Sequence, residues 1–301
     1  MDSLSVPTKP SSISRKPDVE IGCNQLTARR PTTSIVPLAI PDVVRSAHQD
    51  WNIALAWSHI APLATWRLSR GSEVRFVKLA LKGWEPALEE EFKRIRWASD
   101  HLVVPAVHDM GTTADMEWMV TDGLPGRSVA ELSNGDDDPA TVIRMFALAL
   151  RRLHESPADG CPFDDRLDVA LERARSRLAR NAVNPADFNE AFHDLSAGEA
   201  IARLEAERPP AEDVVLCHGD YCCPNLLIDH GVVSGYLDLG GLGLADRWSD
   251  VAVGAWSVTW NFGEGWEKVF LDAYGIERDD ARMWYYRLLY EVAGGTFIPQ
   301  G

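Results

Sequence analysis

The stretch between residues 214 and 243 constrains this chain more than any other. An apolar run, Val214-Val215-Leu216, leads into His218-Gly219-Asp220, and Asn225 follows after four residues. Residues 226–228 are strand-like, Asp229-His230-Gly231 is a turn, and residues 232–237 are strand-like again before Asp238-Leu239-Gly240. Two apolar runs around a Gly-containing turn predict a hairpin, and a hairpin returns Asp238 to the neighbourhood of Asn225. One carboxylate and one amide oxygen held together suit Mg2+, which prefers oxygen ligands. Asp220, on the loop just before, is placed to orient a hydroxyl and accept its proton while a metal neutralises phosphates.

The surrounding chain divides into unlike parts. Residues 1–36 are rich in Ser, Pro, Thr and basic residues without apolar periodicity, and read as a disordered extension. Residues 66–79 predict a hairpin turning at Ser69-Arg70-Gly71-Ser72, with Lys78 near the end of its second strand. Leu88, Phe92, Ile95 and Trp97 have helical spacing, predicting a helix over 85–99. Strands are expected over 103–107 and 117–121 around a turn at Gly111-Thr112, and Asp122-Gly123-Leu124-Pro125-Gly126 reads as a linker. Beyond it, helices are expected over 139–154, 165–180, 197–207, 266–274 and 279–290. A strand-rich part followed by a helix-rich part predicts an α+β fold of two lobes, with a small N-lobe over 37–121, a hinge over 122–127 and a larger C-lobe over 128–301. A cleft between lobes is a favoured ligand site.

Composition narrows the function. The 301 residues are 46% hydrophobic and 25% charged, ordinary for a globular protein. No apolar run is long enough to span a bilayer, and the first thirty residues lack the apolar core of a secretory signal, so a cytoplasmic protein without a membrane partner is expected. Three of the five cysteines (Cys217, Cys222 and Cys223) crowd together in a pattern that is neither a usual disulfide framework nor a common zinc spacing, which fits a reducing compartment. The net charge is −15; residues 1–36 carry five basic and three acidic residues, leaving the remainder at −17. Such a field repels nucleic acid and attracts cations. Arg173, Arg175, Arg177 and Arg180 form a local basic run, but the acidic remainder argues against nucleic acid as a partner. Trp248, Trp256, Trp260 and Trp266 lie at irregular spacing and read as core.

The spacing His-x-Asp-x4-Asn is that of the protein-kinase catalytic loop, and Asp238-Leu239-Gly240 stands where the kinase Asp-Phe-Gly stands. Arg75-Phe76-Val77-Lys78 resembles the kinase third-strand lysine, with Glu91 on the next helix as its natural ion-pair partner. Over roughly residues 57–291 the chain resembles the aminoglycoside O-phosphotransferases, which have a bilobal protein-kinase-like fold. Trp66-Arg67-Leu68-Ser69, Arg152-Leu153-His154, Cys161-Pro162-Phe163-Asp164 and the segment from Leu242 to Arg247 carry the likeness. That last segment and Tyr286-Arg287-Leu288-Leu289 are most similar to the 3′-enzymes acting on kanamycin and neomycin; Arg180-Asn181-Ala182-Val183-Asn184-Pro185 is similar to the streptomycin 3″-enzymes. The resemblance implies γ-phosphoryl transfer to a hydroxyl from ATP, or from GTP in its place. It implies Asp220 as base, Asn225 and Asp238 as Mg2+ ligands, Lys78 and Glu91 as the triphosphate clamp, and backbone groups from Asp122 to Leu124 facing the nucleotide base. It also implies an acidic pocket for a cationic aminoglycoside, for which Asp187, Glu190 and Glu291 are the candidates, in a monomer or weak dimer.

The chain departs from the family at three places. Pro62 occupies the hairpin turn that covers the phosphates, where it offers no N–H. Gly241 replaces an arginine next to the transferred group, removing a positive charge. Tyr290 replaces an aspartate, and ten residues follow Glu291 where the 3′-enzymes end. Three functions are therefore carried forward: an aminoglycoside kinase, a kinase for another hydroxylated small molecule, and a nucleotide-binding homologue without catalysis.

Overall fold

The computed structural model describes residues 37–58 and 63–294, so the expectations for residues 1–36 and for Pro62 lie outside the described residues. A short helix, α1 (Asp42–Ala47), precedes five antiparallel strands, β1 (Asn52–Ser58), β2 (Leu63–Arg70), β3 (Glu73–Leu81), β4 (Val107–Thr112) and β5 (Met116–Asp122). They form one sheet in the order β1-β2-β3-β5-β4, and α2 (Leu88–Ala98) sits between β3 and β4 in the chain. Strand alternation gives this sheet two faces. Leu68, Val77, Leu79, Trp118 and Val120 are buried with Ile40, Val44 and Trp51, so α1 and its flanks close the outer face. Ala80 and Met119 are buried with Leu88 and Ile95 of α2 on the other face, the side on which Lys78 also emerges.

Two strand expectations shift. The first of the pair starts at Val107 rather than Val103. Pro105 lacks an N–H and interrupts the run, and Val103 instead gives its carbonyl to Tyr236 N of the second lobe at 3.0 Å. Gly111 lies within β4, not in the turn: a Cβ there would fall 2.6 Å from the Trp118 indole, so the glycine makes room for a core ring.

The second lobe begins with β6 (Arg127–Ser128) and α3 (Val129–Ser133), followed by α4 (Pro139–His154), α5 (Leu167–Ala179) and α6 (Ala197–Ala206). Then come β7 (Val214–Cys217), the hairpin β8 (Leu226–Asp229) and β9 (Val232–Tyr236), and β10 (Gly243–Asp246). The helices α7 (Trp248–Phe262), α8 (Glu267–Tyr274) and α9 (Asp280–Leu289) complete it. Helix starts follow their caps: Asp138 accepts from Thr141 N at 3.0 Å with Pro139 at the first turn, Ser196 and Glu199 form a capping box, and Asp279 accepts from Arg282 N. Helix α4 is the floor of the lobe, burying Ile143, Phe146, Leu150 and Leu153 along one face. The tryptophans are less irregular than their numbers suggest. Trp256 and Trp260 are one turn apart on α7 with ring centroids 4.7 Å apart, and Phe192 meets Trp256 edge-on. The arginine run is consumed internally: Arg173 pairs with Asp165, Arg175 with Glu172 and Glu205, and Arg180 with Glu85, while Arg177 is buried against the Ala182 carbonyl.

Candidate active site

The site is assembled where the sheet of the first lobe faces the β7–β9 region of the second. Lys78, on β3, reaches across from the first lobe: its Nζ is 2.7 Å from Glu91 Oε2 and 2.7 Å from Asp238 Oδ1. Glu91 is buried in α2, and burial raises its carboxyl above the ordinary range despite Lys78. Burial works against the Lys78 charge as well, but Asp238 and Glu91 outweigh it, and the ammonium is held above its usual value. One cation thus joins two carboxylates from different lobes.

The loop between β7 and β8 is held from below. Tyr221, next to Asp220, stacks on Phe146 with centroids 4.4 Å apart and donates to the Phe146 carbonyl at 2.7 Å. Tyr236, two residues before Asp238, donates to the Ala149 carbonyl at 3.0 Å. Both ends of the β8–β9 region are therefore fixed to α4. The hairpin returns as expected: Leu237 N donates to the Asn225 carbonyl at 2.9 Å, and Asp238 follows in a left-handed conformation at φ 55°.

A third support lies on α7. Asp250 is fully buried and accepts from His218 N at 2.6 Å and Gly219 N at 2.9 Å. His154 Nε2 lies 3.1 Å from the same carboxylate, and His154 Nδ1 lies 2.7 Å from Tyr274 Oη. An ionised carboxylate only accepts, so Nε2 carries a proton directed at Asp250. Burial disfavours the Asp250 charge, but His154, the neighbouring histidine and the loop amide together hold its carboxyl below the ordinary value. Cys217 is a free, buried thiol beside this cluster, and His154, Cys217 and Asp250 come close enough to be compared with a metal site. Each, however, is already engaged, Cys217 with the Ala245 and Asp246 carbonyls. Sequence reasoning missed Asp250. Its signal was present, since it is the one charged residue in the helix from Trp248 to Phe262.

Asp220 is held at both oxygens. Asn225 Nδ2 donates to Asp220 Oδ2 at 3.0 Å and to its carbonyl at 2.9 Å; Tyr290 Oη donates to Oδ1 at 2.9 Å. Burial is the main influence on the Asp220 carboxyl and raises it above the ordinary range, with Asp238 adding to the rise. His218 is fully buried and accepts from Asp220 N through Nδ1 at 3.3 Å, a backbone-supporting position rather than that of a base. Gly219, at φ 81°, is backed so closely by Gly241 that a Cβ would lie 2.2 Å from the Gly241 carbonyl oxygen.

The remaining candidates are placed unevenly. In the linker, Asp122 N donates to Ala106 O at 2.9 Å and Gly123 N to Val74 O at 2.8 Å, and the Asp122 carboxylate meets His108. The amides of Asp122 and Gly123 are therefore engaged within the first lobe. Among the described residues the Leu124 N–H has no backbone partner, and its side chain packs over Gly235. Glu291 is buried, accepts from Asn189 N at 3.2 Å and faces Asp187, so these two acids are brought together. Glu190 is exposed, and its side chain makes no hydrogen bond or ion pair among the described residues.

Residues 62–285 match the phosphotransferase enzyme family, APH. The chain belongs to this family. It is 38% identical to the aminoglycoside 3′-phosphotransferase of Streptomyces fradiae over 213 residues, covering 68% of this chain and 79% of that one. Among solved structures it is similar to an aminoglycoside 3′-phosphotransferase of type VIII, with 29% identity and a TM-score of 0.74 over 83% of this chain and 97% of that one. It is also similar to the aminoglycoside phosphotransferase of Streptomyces rimosus in complex with ADP and streptomycin, with 30% identity and a TM-score of 0.67 over 84% and 96% of the two chains. The phosphotransferase fold accounts for the antiparallel first lobe, the helical second lobe and the cleft in which Lys78, Asp220, Asn225 and Asp238 meet.

Proposed function

We propose that this phosphotransferase transfers the γ-phosphoryl group of ATP to a hydroxyl of an aminoglycoside, most similarly to the 3′-enzymes, with Asp220 as base. The observation that carries the reading is the cation bridge from Lys78 to Glu91 and Asp238, set beside a base whose orientation is fixed by Asn225. The nucleotide lies between an N-lobe of residues 37–121 and a C-lobe of residues 128–301, joined by the hinge 122–127. Lys78, positioned by Glu91, faces the triphosphate, and the Leu124 N–H is the free hinge donor for the purine.

The donor set fits Mg2+. Asn225 spends its amide nitrogen on Asp220, which leaves its oxygen without a partner among the described residues, and Asp238 offers a half-exposed carboxylate with one oxygen on Lys78. Hard oxygen donors of this kind are what Mg2+ takes. When bound, the ion supplies charge neutralisation at the phosphates. The protein's own residues do the rest. Asp220 orients the acceptor hydroxyl and accepts its proton, and burial makes it a stronger base than an exposed aspartate. Asp187, Glu190 and Glu291 receive the ammonium groups of the acceptor.

The test is a reaction of the purified chain with ATP, Mg2+ and, separately, kanamycin, neomycin and streptomycin, reading drug mass and ADP together. The expected result is a drug heavier by one phosphate, with Asp220→Ala slower by about 10²–10⁴-fold. If none of the drugs gains a phosphate, the aminoglycoside reading is wrong.

A further inference from the structure

The phosphotransferase reading leaves two contacts at Oδ1 of the base unused, the Tyr290 phenol and the Cys222 sulfur 3.2 Å away, and of the two the phenol is the oxygen donor. The Tyr290 phenol donates to Asp220 Oδ1 at 2.9 Å. The other oxygen, Oδ2, belongs to Asn225, whose amide nitrogen is pinned a second time on the Asp220 carbonyl. Asn225 cannot swing aside without releasing both bonds, which crowds Oδ2 and favours approach of an acceptor hydroxyl at Oδ1, where the phenol stands. A phenol O–H and an alcohol O–H are the same kind of donor. The contact therefore reproduces the one that an acceptor must make.

We propose that Tyr290 is a placeholder for the acceptor hydroxyl, filling the proton-accepting position of Asp220 until an acceptor displaces it and so keeping water from the base. This inference rests on the function proposed above. Tyr290 opens the π-helical turn Tyr290–Gly294 that follows α9, a single irregular turn rather than the middle of a rigid element. The next residue, Glu291, is one of the acids facing Asp187. A cationic acceptor that pairs with Glu291 thus pulls on the same turn that carries the phenol, and one ligand both occupies the acid and clears the base.

The chemistry at stake is a choice of nucleophile. In transfer, a bond forms between the acceptor oxygen and the γ-phosphorus, the bond to the β,γ-bridging oxygen breaks to release ADP, and the acceptor proton passes to Asp220. In the wasteful alternative, water supplies the oxygen, and ADP and inorganic phosphate leave by the same bond changes. Excluding water from a closed site suppresses that side reaction. Tyr290 does so by occupying Oδ1.

The experiment measures ADP release by the full chain with ATP and Mg2+, first without acceptor and then with kanamycin. It compares the parent with Tyr290→Phe, which removes one oxygen and keeps the ring, and with Tyr290→Leu. Asp220→Ala and the double variant with Tyr290→Phe serve as controls, and unfolding midpoints are recorded for all. Acceptor-free hydrolysis is expected to rise about tenfold in Tyr290→Phe, the weight of one hydrogen bond to a carboxylate, and to vanish in the double variant. KM for kanamycin is expected to fall while kcat is retained. A merely structural tyrosine would instead lower both reactions together.

If either folded variant shows unchanged or reduced acceptor-free hydrolysis while the parent phosphorylates kanamycin, the placeholder is wrong and the function stands. A rise that persists in the double variant also overturns it, because water would then not be using Asp220. Phosphate found on Tyr290 by mass spectrometry overturns it too, since the phenol would be an acceptor. A parent that neither transfers phosphate nor releases ADP overturns the function and this inference together.

Discussion

Glu291 ties the proposed acceptor pocket to the stability of the whole chain. The residue is 9% exposed, and its carboxylate accepts one bond from Asn189 N and faces Asp187. Burial, with Asp187 adding to it, raises its pKa from 4.5 to about 7. In the unfolded chain the carboxyl returns to the ordinary value, so the folded chain binds the proton more tightly. The sign follows: this contribution to stability is fully present below pH 4.5 and is lost as pH rises through about 7. At 1.36 kcal/mol per pKa unit the loss is about 3 kcal/mol between those limits. Glu291→Gln keeps the size of the side chain and removes the ionisation. Urea unfolding of parent and variant at intervals from pH 5 to 8 is expected to show the variant gaining on the parent steadily, and the gain flattening above pH 7. A buried amide N–H left without a partner costs about 1–3 kcal/mol, but that cost is the same at every pH, so the slope and not the offset is the test. Parallel profiles would refute the reasoning. The same ionisation governs binding: a cationic acceptor favours the charged carboxylate, so kanamycin affinity is expected to strengthen from pH 6 to 7.5 in the parent and to stay flat in Glu291→Gln.

Two further substitutions probe the loop. Gly219→Ala puts a Cβ 2.2 Å from the Gly241 carbonyl in a backbone of positive φ; strain of about 1–3 kcal/mol plus the backbone clash is expected to lower the urea midpoint and abolish drug phosphorylation. Asp250→Asn removes one of the two oxygens that hold the His218 and Gly219 amides; kcat is expected to fall about 10²-fold through misplacement of Asp220, with ATP affinity by tryptophan fluorescence unchanged because Lys78 and Glu91 stand on the other lobe.

What could be read from the sequence, and what could not, follows from how far apart the interacting residues lie. The His218–Asn225 spacing, the hairpin and the return of Asp238 are local, and each was legible because turn chemistry and strand alternation act over a few residues. The pairing of Lys78 with Glu91 was expected from the likeness to the kinase third-strand lysine, and the two meet at 2.7 Å. The long helices with strong caps, Pro139–His154 above all, were also readable. Helix α1 was not: it has six residues, no side-chain cap and one buried side chain, Val44, so nothing in the local pattern marks it, and only the open face of the sheet creates the need for it. Helix α7 hid for the opposite reason. It is buried from Asp250 to Val258 on every side and so lacks the periodic contrast that identifies a surface helix.

The active site shows the same division. The groups proposed to do the chemistry sit within a short stretch of chain, but the groups that fix them do not. Tyr221 reaches a carbonyl 75 residues away, Tyr236 one 87 residues away, and Asp250 holds its amides from 31 and 32 residues further on. Tyr290 reaches Asp220 across 70 residues. Anchors of this kind lie outside the local motif, and none of the bonds described for them reaches Lys78 or Glu91. The motif therefore identifies the reaction class, whereas the choice of acceptor rests on residues that the motif does not contain. An aspartate at position 290 would add a charge beside the base; the phenol adds none and donates a hydrogen bond to it instead.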